Sequence, residues 1–215
     1  MLRKTLPLSF LALAAVQSAH AADVYGGVGT TGFLVGVENH YTDSFGVRAD
    51  LNALSLSRSE SDSSATYQGS LHLAAVGLFA DYHPWGNGFR LSAGALVGDS
   101  YLNGTAVTSN GTFTLNGIQV SAPGETLSAK VRLPSVRPVL GVGWGHSPRA
   151  TGAFLQFDLG VAYGRPDATL LASAGLVTAA TAAGTSIGAE QALLQSKVND
   201  YKLFPIARAA VGWAW

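Results

Sequence analysis

"RAAVGWAW", residues 208–215, closes the chain, and its reading decides how the rest is read. Trp215, Trp213, Val211 and Ala209 fall on one face of a period-two pattern, and Ala214, Gly212, Ala210 and Arg208 fall on the other. Alternation of period two is a β-strand. Its bulky apolar residues share one side, its small residues and an arginine the other. That is inverted for a strand buried in a soluble core, and it suits a strand whose bulky side meets lipid.

The same inversion recurs upstream. In "FGVRADLNA" (45–53), Phe45, Val47, Ala49, Leu51 and Ala53 oppose Gly46, Arg48, Asp50 and Asn52. "FRLSAGALVG" (89–98) sets Leu91, Ala93 and Val97 against Arg90, Ser92 and Gly94. "FLQFDLGVAY" (154–163) sets Leu155, Phe157, Leu159 and Val161 against Gln156, Asp158 and Gly160. "RPVLGVGW" (137–144) places Leu140, Val142 and Trp144 opposite Arg137, Gly141 and Gly143, and Leu78, Ala80 and Tyr82 alternate with Phe79, Asp81 and His83. Seven strand segments follow, at 24–40, 45–56, 67–82, 89–101, 129–145, 153–164 and 202–215.

The connections alternate in length. "YTDS" (41–44), "HPWGNG" (83–88) and "HSPRATG" (146–152) are short turns. The others (57–66, 101–128 and 165–200) are long; they include a serine-rich stretch, Asn-Gly turn signals at Asn103, Asn110 and Asn116, and a helical pattern over 185–200 with Ile187, Leu194, Val198 and Tyr201 on one face. Short turns at one end and long loops at the other are the habit of outer-membrane barrels, which need an even strand number. The eighth strand comes from splitting 24–40 at "GTTG" (29–32), from 99–128, or from "ATLLASAG" (168–175). The expected fold is an all-β, closed antiparallel transmembrane barrel of about eight strands, with ten as the alternative.

Composition agrees. Charged residues make up 12% of the chain, about half the usual share of a soluble domain. No segment past the first 21 residues is apolar enough for a helical span of about 20 residues. Residues 1–21 read as a signal peptide, with Arg3 and Lys4, an apolar stretch from Leu6 to Val16 and the small-residue "AHA" before Ala22. The barrel domain is then 22–215. With no cysteine, disulfides and thiolate metal sites are excluded. Thirteen basic residues balance thirteen acidic ones, which gives no electrostatic footprint for nucleic acid.

The inward faces carry Arg48, Asp50, Asp81, Arg90, Arg137, Asp158 and Arg208. An eight-stranded barrel is just wide enough inside to be filled by side chains, and buried charges must be paired. These seven are therefore expected to form a polar network that plugs the lumen. Gly27, Gly29 and Gly32 spell GxGxxG, but β-like sequence follows where a dinucleotide site needs a helix. "HYTDS" (40–44) holds His, Asp and Ser on an expected turn, without a hydrolase signature. Asp81 and His83 make half a metal site at most, since a catalytic zinc needs three protein ligands. No metal or cofactor is expected. Tyr25, Tyr41, Tyr82, Trp85, Trp144, Tyr163, Trp213 and Trp215 fall near strand ends, as an interfacial aromatic belt would.

With its leader, its alternating strands and its final "YKLFPIARAAVGWAW" (201–215), the chain resembles the small Gram-negative outer-membrane barrels of the OmpA/OmpX/OmpW kind. "RPVLGVGWG" beside "FPIARAAVGWAW" is also similar to a widespread proteobacterial family of such barrels. The resemblance implies an outer-membrane location, contact with outer-membrane lipid, and passage through the barrel-assembly machinery. Trp213 and Trp215 would supply the C-terminal assembly signal, Trp215 replacing the usual Phe. The function expected is structural or surface-interacting rather than enzymatic, the long loops being the working surface. A channel for small solutes or small hydrophobic molecules is the alternative, and a lipid-modifying enzyme the third reading.

Overall fold

The computed structural model describes residues 22–61, 65–108 and 111–215. The expected signal peptide (1–21), residues 62–64 of the serine-rich stretch and Asn110 lie outside the described residues. In chain order the elements are β1 (Asp23–Gly29), β2 (Gly32–Thr42), β3 (Phe45–Ser61), β4 (Ala65–Tyr82), β5 (Phe89–Gly98) and β6 (Tyr101–Thr108). Next come β7 (Thr112–Leu115), β8 (Ile118–Ser121), β9 (Thr126–Arg132), β10 (Val136–Trp144), β11 (Gly152–Tyr163) and β12 (Asp167–Ala172). Helices α1 (Ala174–Ala182) and α2 (Ile187–Val198) precede the last strand, β13 (Leu203–Ala214).

Eight of these strands pair antiparallel in a ring: β1, β2, β3, β4, β5, β10, β11 and β13, which returns to β1. The segment 24–40 is therefore two strands. Thr30 and Thr31 make the turn, Gly29 pairs with Gly32, and Gly32 has a φ of +104°, a backbone state that L side chains rarely adopt. The segment 129–145 also divides, but only β10 joins the ring; β9 lies outside it.

The ring is inside-out relative to a soluble protein. Its outer surface exposes Phe33, Val35, Leu51, Leu78, Leu140, Leu155, Leu159, Val211 and Trp213, each half or more accessible. Its inner surface buries Glu38, Arg48, Asp50, Asp81, Arg90, Arg137, Gln156, Asp158 and Arg208. Seven of the eight aromatics assigned to the rims are exposed outside. Tyr25 is not: it turns inward, 3% exposed, where Gly36 has no side chain to block its ring.

The long connections are more ordered than loops. β3 continues to Ser61, so the serine-rich stretch begins as strand. The upper half of β4 pairs with β6, β6 with β9 and β9 with β12, which extends one side of the ring into an outer sheet. Asn103 and Gly104 lie within β6 and form no turn, because they are paired across to Ser70 and Gly69. Asn116 and Gly117 do form one, both with positive φ (51° and 79°), as a two-residue hairpin turn between β7 and β8 demands. Phe113, Leu115, Val120 and Ala122 of that hairpin share a small core with Leu176 and Ala180 of α1.

"ATLLASAG" supplies β12, an edge strand of the outer sheet rather than of the ring. The helical pattern over 185–200 becomes α2, capped by the Ser186 hydroxyl accepting from Ala189 N. Tyr201 is past its end and exposed. α2 seals β12: Gln191 Oε1 accepts from Leu170 N at 3.1 Å and Gln195 Oε1 from Ala168 N at 2.7 Å. Four residues of helix rise about 6 Å, and two residues of strand about 6.7 Å, so glutamines four apart reach alternate amides of an edge.

Candidate functional site

Polar side chains inside the ring sort into layers. At the end carrying the long connections Arg137 donates to Pro134 O (3.2 Å) and Ser100 Oγ (3.4 Å), beside a pocket of about 210 Å³ that Thr30, Leu73, Phe204 and Pro205 also line. An apolar layer follows, made of Phe79, Leu96, Val139, Ala162 and Ile206. Beneath it is an ionic layer, and at the end carrying the short turns lies a histidine–carboxylate layer.

The ionic layer is built by alternation: inward positions on β3, β4, β5, β11 and β13 each deliver a charge. Arg48 Nε donates to Asp81 Oδ2 at 2.6 Å and its Nη1 to Asp158 Oδ2 at 3.0 Å. Arg90 Nη2 donates to Asp158 Oδ1 at 2.6 Å. Arg208 donates to Asp50 at 2.9 Å and lies 3.4 Å from Asp158. Ser92 bonds Asp81, Tyr25 Oη donates to Asp50 at 3.1 Å, and Asn52 Nδ2 donates to Asp50 at 2.6 Å. The guanidinium carbons of Arg48 and Arg208 sit 5.1 and 4.8 Å from the centroid of the Phe79 ring, which roofs the layer by cation–π contact.

Six of the seven charged residues picked out in the sequence thus meet in one network, three arginines against three aspartates. Arg137 stands apart, with no carboxylate partner among the described residues. Little space remains. Between Arg48, Phe79, Ser92, Asp158 and Arg208 the residual void is about 10 Å³, at the threshold for a single water.

The histidine–carboxylate layer was not legible as a set. Asp23 opens β1, Glu38 and His40 share the inward face of β2, His83 follows β4 and His146 follows β10. His146 Nε2 is 2.8 Å from Asp23 Oδ2, and His40 Nδ1 lies 3.7 Å from the same oxygen. His40 Nε2 lies 3.2 Å from Glu38 Oε1, yet the two make no hydrogen bond. The His40 ring centroid is 5.2 Å from that of His83 and 5.3 Å from that of His146. Glu38 is 1% exposed and His83 fully buried. Local signals existed only as Glu38-x-His40 and Asp81-x-His83; Asp23 and His146 are brought in by ring closure.

"HYTDS" does not assemble a catalytic triad. His40 turns to Asp23 and Glu38, whereas Asp43 takes a bidentate pair from Arg149 on the neighbouring turn, which holds the Asp43 carboxyl below its usual range. No described helix is long and apolar enough to cross a membrane.

No protein-family model and no curated protein matches the sequence. Solved structures do match. A crystal structure of Acinetobacter baumannii CarO superposes with a TM-score of 0.62 at 21% identity, over 90% of this chain and 97% of that one. A structure of Acinetobacter baumannii CarO2 gives 0.62 at 19% identity, over 92% of this chain and 100% of that one. The ring and its outer extension therefore have the same fold as the CarO proteins.

Proposed function

We propose that the protein is a closed eight-stranded barrel of a bacterial outer membrane, plugged at its centre, whose outer sheet is the working surface. The exposed apolar band would meet lipid, and the rim carrying Trp85, Trp144, Trp213 and Trp215 would lie at the periplasmic interface. Trp213 and Trp215 would also serve the assembly machinery, and residues 1–21 would direct export. No catalytic step belongs to this reading.

The observation that carries it is the filled ionic layer, where six paired charges under Phe79 leave room for about one water. The outer sheet adds a concave apolar groove of about 500 Å³, lined by Tyr67, Leu102, Ala106, Leu127 and Val131, on the side that would face outward. The pocket beside Arg137 favours a second reading, in which a small solute enters the outer mouth. Planar-bilayer recording separates the two. The refolded protein should give no stable unitary currents; steady currents that change on Arg90→Ser would overturn the plugged barrel.

A further inference from the structure

The ionic layer is balanced, with three arginines facing three aspartates, and this leaves the layer below it out of balance. Glu38 and Asp23 have no lysine or arginine within salt-bridge distance; the cationic groups close to them are histidines. Both Glu38 oxygens, His40 Nε2 and both ring nitrogens of His83 are buried without a hydrogen-bond partner. Five buried polar atoms without hydrogen-bond partners in three adjacent side chains are costly, and the closest counter-group to Glu38 is a histidine ring, His40 at 3.2 Å.

We propose that Glu38, His40 and His83 bind a divalent transition-metal ion of the zinc class at the short-turn end of the ring. Imidazole nitrogen and carboxylate oxygen are zinc's ligands in the absence of cysteine, and three of them with an open fourth position make a recognised set. The ligand atoms of the three residues all lie within 4.8 Å of one another. Ligands on tetrahedral zinc stand about 3.3 Å apart, given bonds of about 2.0–2.1 Å. The 3.2 Å between His40 Nε2 and Glu38 Oε1, which is not a hydrogen bond, already matches one such edge.

The surroundings suit the assignment. Metal-bound histidine commonly presents its other nitrogen to a carboxylate, which fixes the ring. His40 Nδ1 faces Asp23 Oδ2 at 3.7 Å, and that oxygen is held by His146 Nε2. Asp23 and His146 are thus positioning residues for His40. The β-bulge between His40 and Thr42 turns this part of β2 at the rim. A cation would enter through the open pocket of about 410 Å³ at that rim, lined by Asp23, His40, Asp43, Arg149 and Trp215. Bound there, it would neutralise Glu38 and tie β2 to the turn after β4.

The test uses the full-length protein folded in detergent, stripped with a chelator and titrated with zinc alone, with cobalt as the spectroscopic probe. One zinc per chain is expected, together with a visible cobalt band of tetrahedral type. His83→Ala and Glu38→Gln should each abolish the band and weaken zinc binding at least 100-fold. Asp23→Asn should keep the band and weaken binding about 10-fold, the lower range for loss of an outer-shell partner. His72→Ala, on the outer half of β4 against Tyr101, should change nothing. Heat-modifiable gel mobility checks each variant's fold; if His83→Ala does not fold, wild-type stoichiometry and the cobalt band decide. Absence of stoichiometric zinc, or a cobalt band that survives His83→Ala but not His146→Ala, overturns the assignment.

Discussion

Replacing Arg208 with leucine removes a guanidinium that donates to Asp50 at 2.9 Å and approaches Asp158 at 3.4 Å, all three groups being buried. Breaking a buried ion pair from one side costs about 3–5 kcal/mol, because the abandoned charge keeps its desolvation penalty. Here the remaining partners soften the loss. Asp50 keeps hydrogen bonds from Tyr25 and Asn52, and Asp158 keeps Arg48 and Arg90. The expected cost is therefore the low end, about 3 kcal/mol. With a urea slope of about 1–3 kcal/mol per molar, the unfolding midpoint falls by about 1–3 M. Arg137→Leu is the matched control: it is equally buried, with no carboxylate to abandon, and should lower stability little or raise it. Urea titration of protein refolded into lipid vesicles, followed by tryptophan fluorescence and gel mobility, measures both. Equal losses for the two variants, or none for Arg208→Leu, would refute the reasoning that pairing rather than burial holds this layer.

Two further outcomes are expected. Asp43 titrates below its ordinary value because Arg149 donates to it, so any stability it adds is present above the unfolded-state value and is lost as pH falls through the depressed one; Arg149→Ala should return the Asp43 titration upward toward 3.8, readable by NMR of the carboxyl carbon. Exchanging both Gln191 and Gln195 for alanine should speed hydrogen exchange at the Ala168 and Leu170 amides, since their acceptors are removed, while the midpoint of global unfolding stays where it is.

How far the sequence could be read depended on where each residue's partners lie. In β3, β5, β11 and β13 one face meets the outside and the other the ionic layer, so alternation was clean and named Arg48, Arg90, Asp158 and Arg208 directly. β6 and β9 are half-buried on both faces, and their alternation fades; their pairing with β4 and with each other was invisible from local pattern. The turn at Thr30 and Thr31 was legible only as one of three places for the eighth strand, because threonine is a strand former and only Gly32 marks the reversal. Tyr25 was misplaced for a similar reason. Its seat depends on Gly36 across the ladder, a feature of register rather than of neighbours in sequence. The histidine layer gathers residues from four separate parts of the chain, so its chemistry exists only once the ring has closed.

The seam between α2 and β12 has a consequence for how this surface can vary. A long surface connection ordinarily tolerates insertions, because nothing counts its residues. Here something does: Gln191 and Gln195 are indexed to Ala168 and Leu170, so a residue added between the two glutamines would rotate one of them about 100° off the strand. A length change before the Ser186 cap or after Asn199 leaves this spacing intact, whereas one within the helix does not. The last excursion of the chain is thus a ruler whose graduation is the four-residue interval from Gln191 to Gln195.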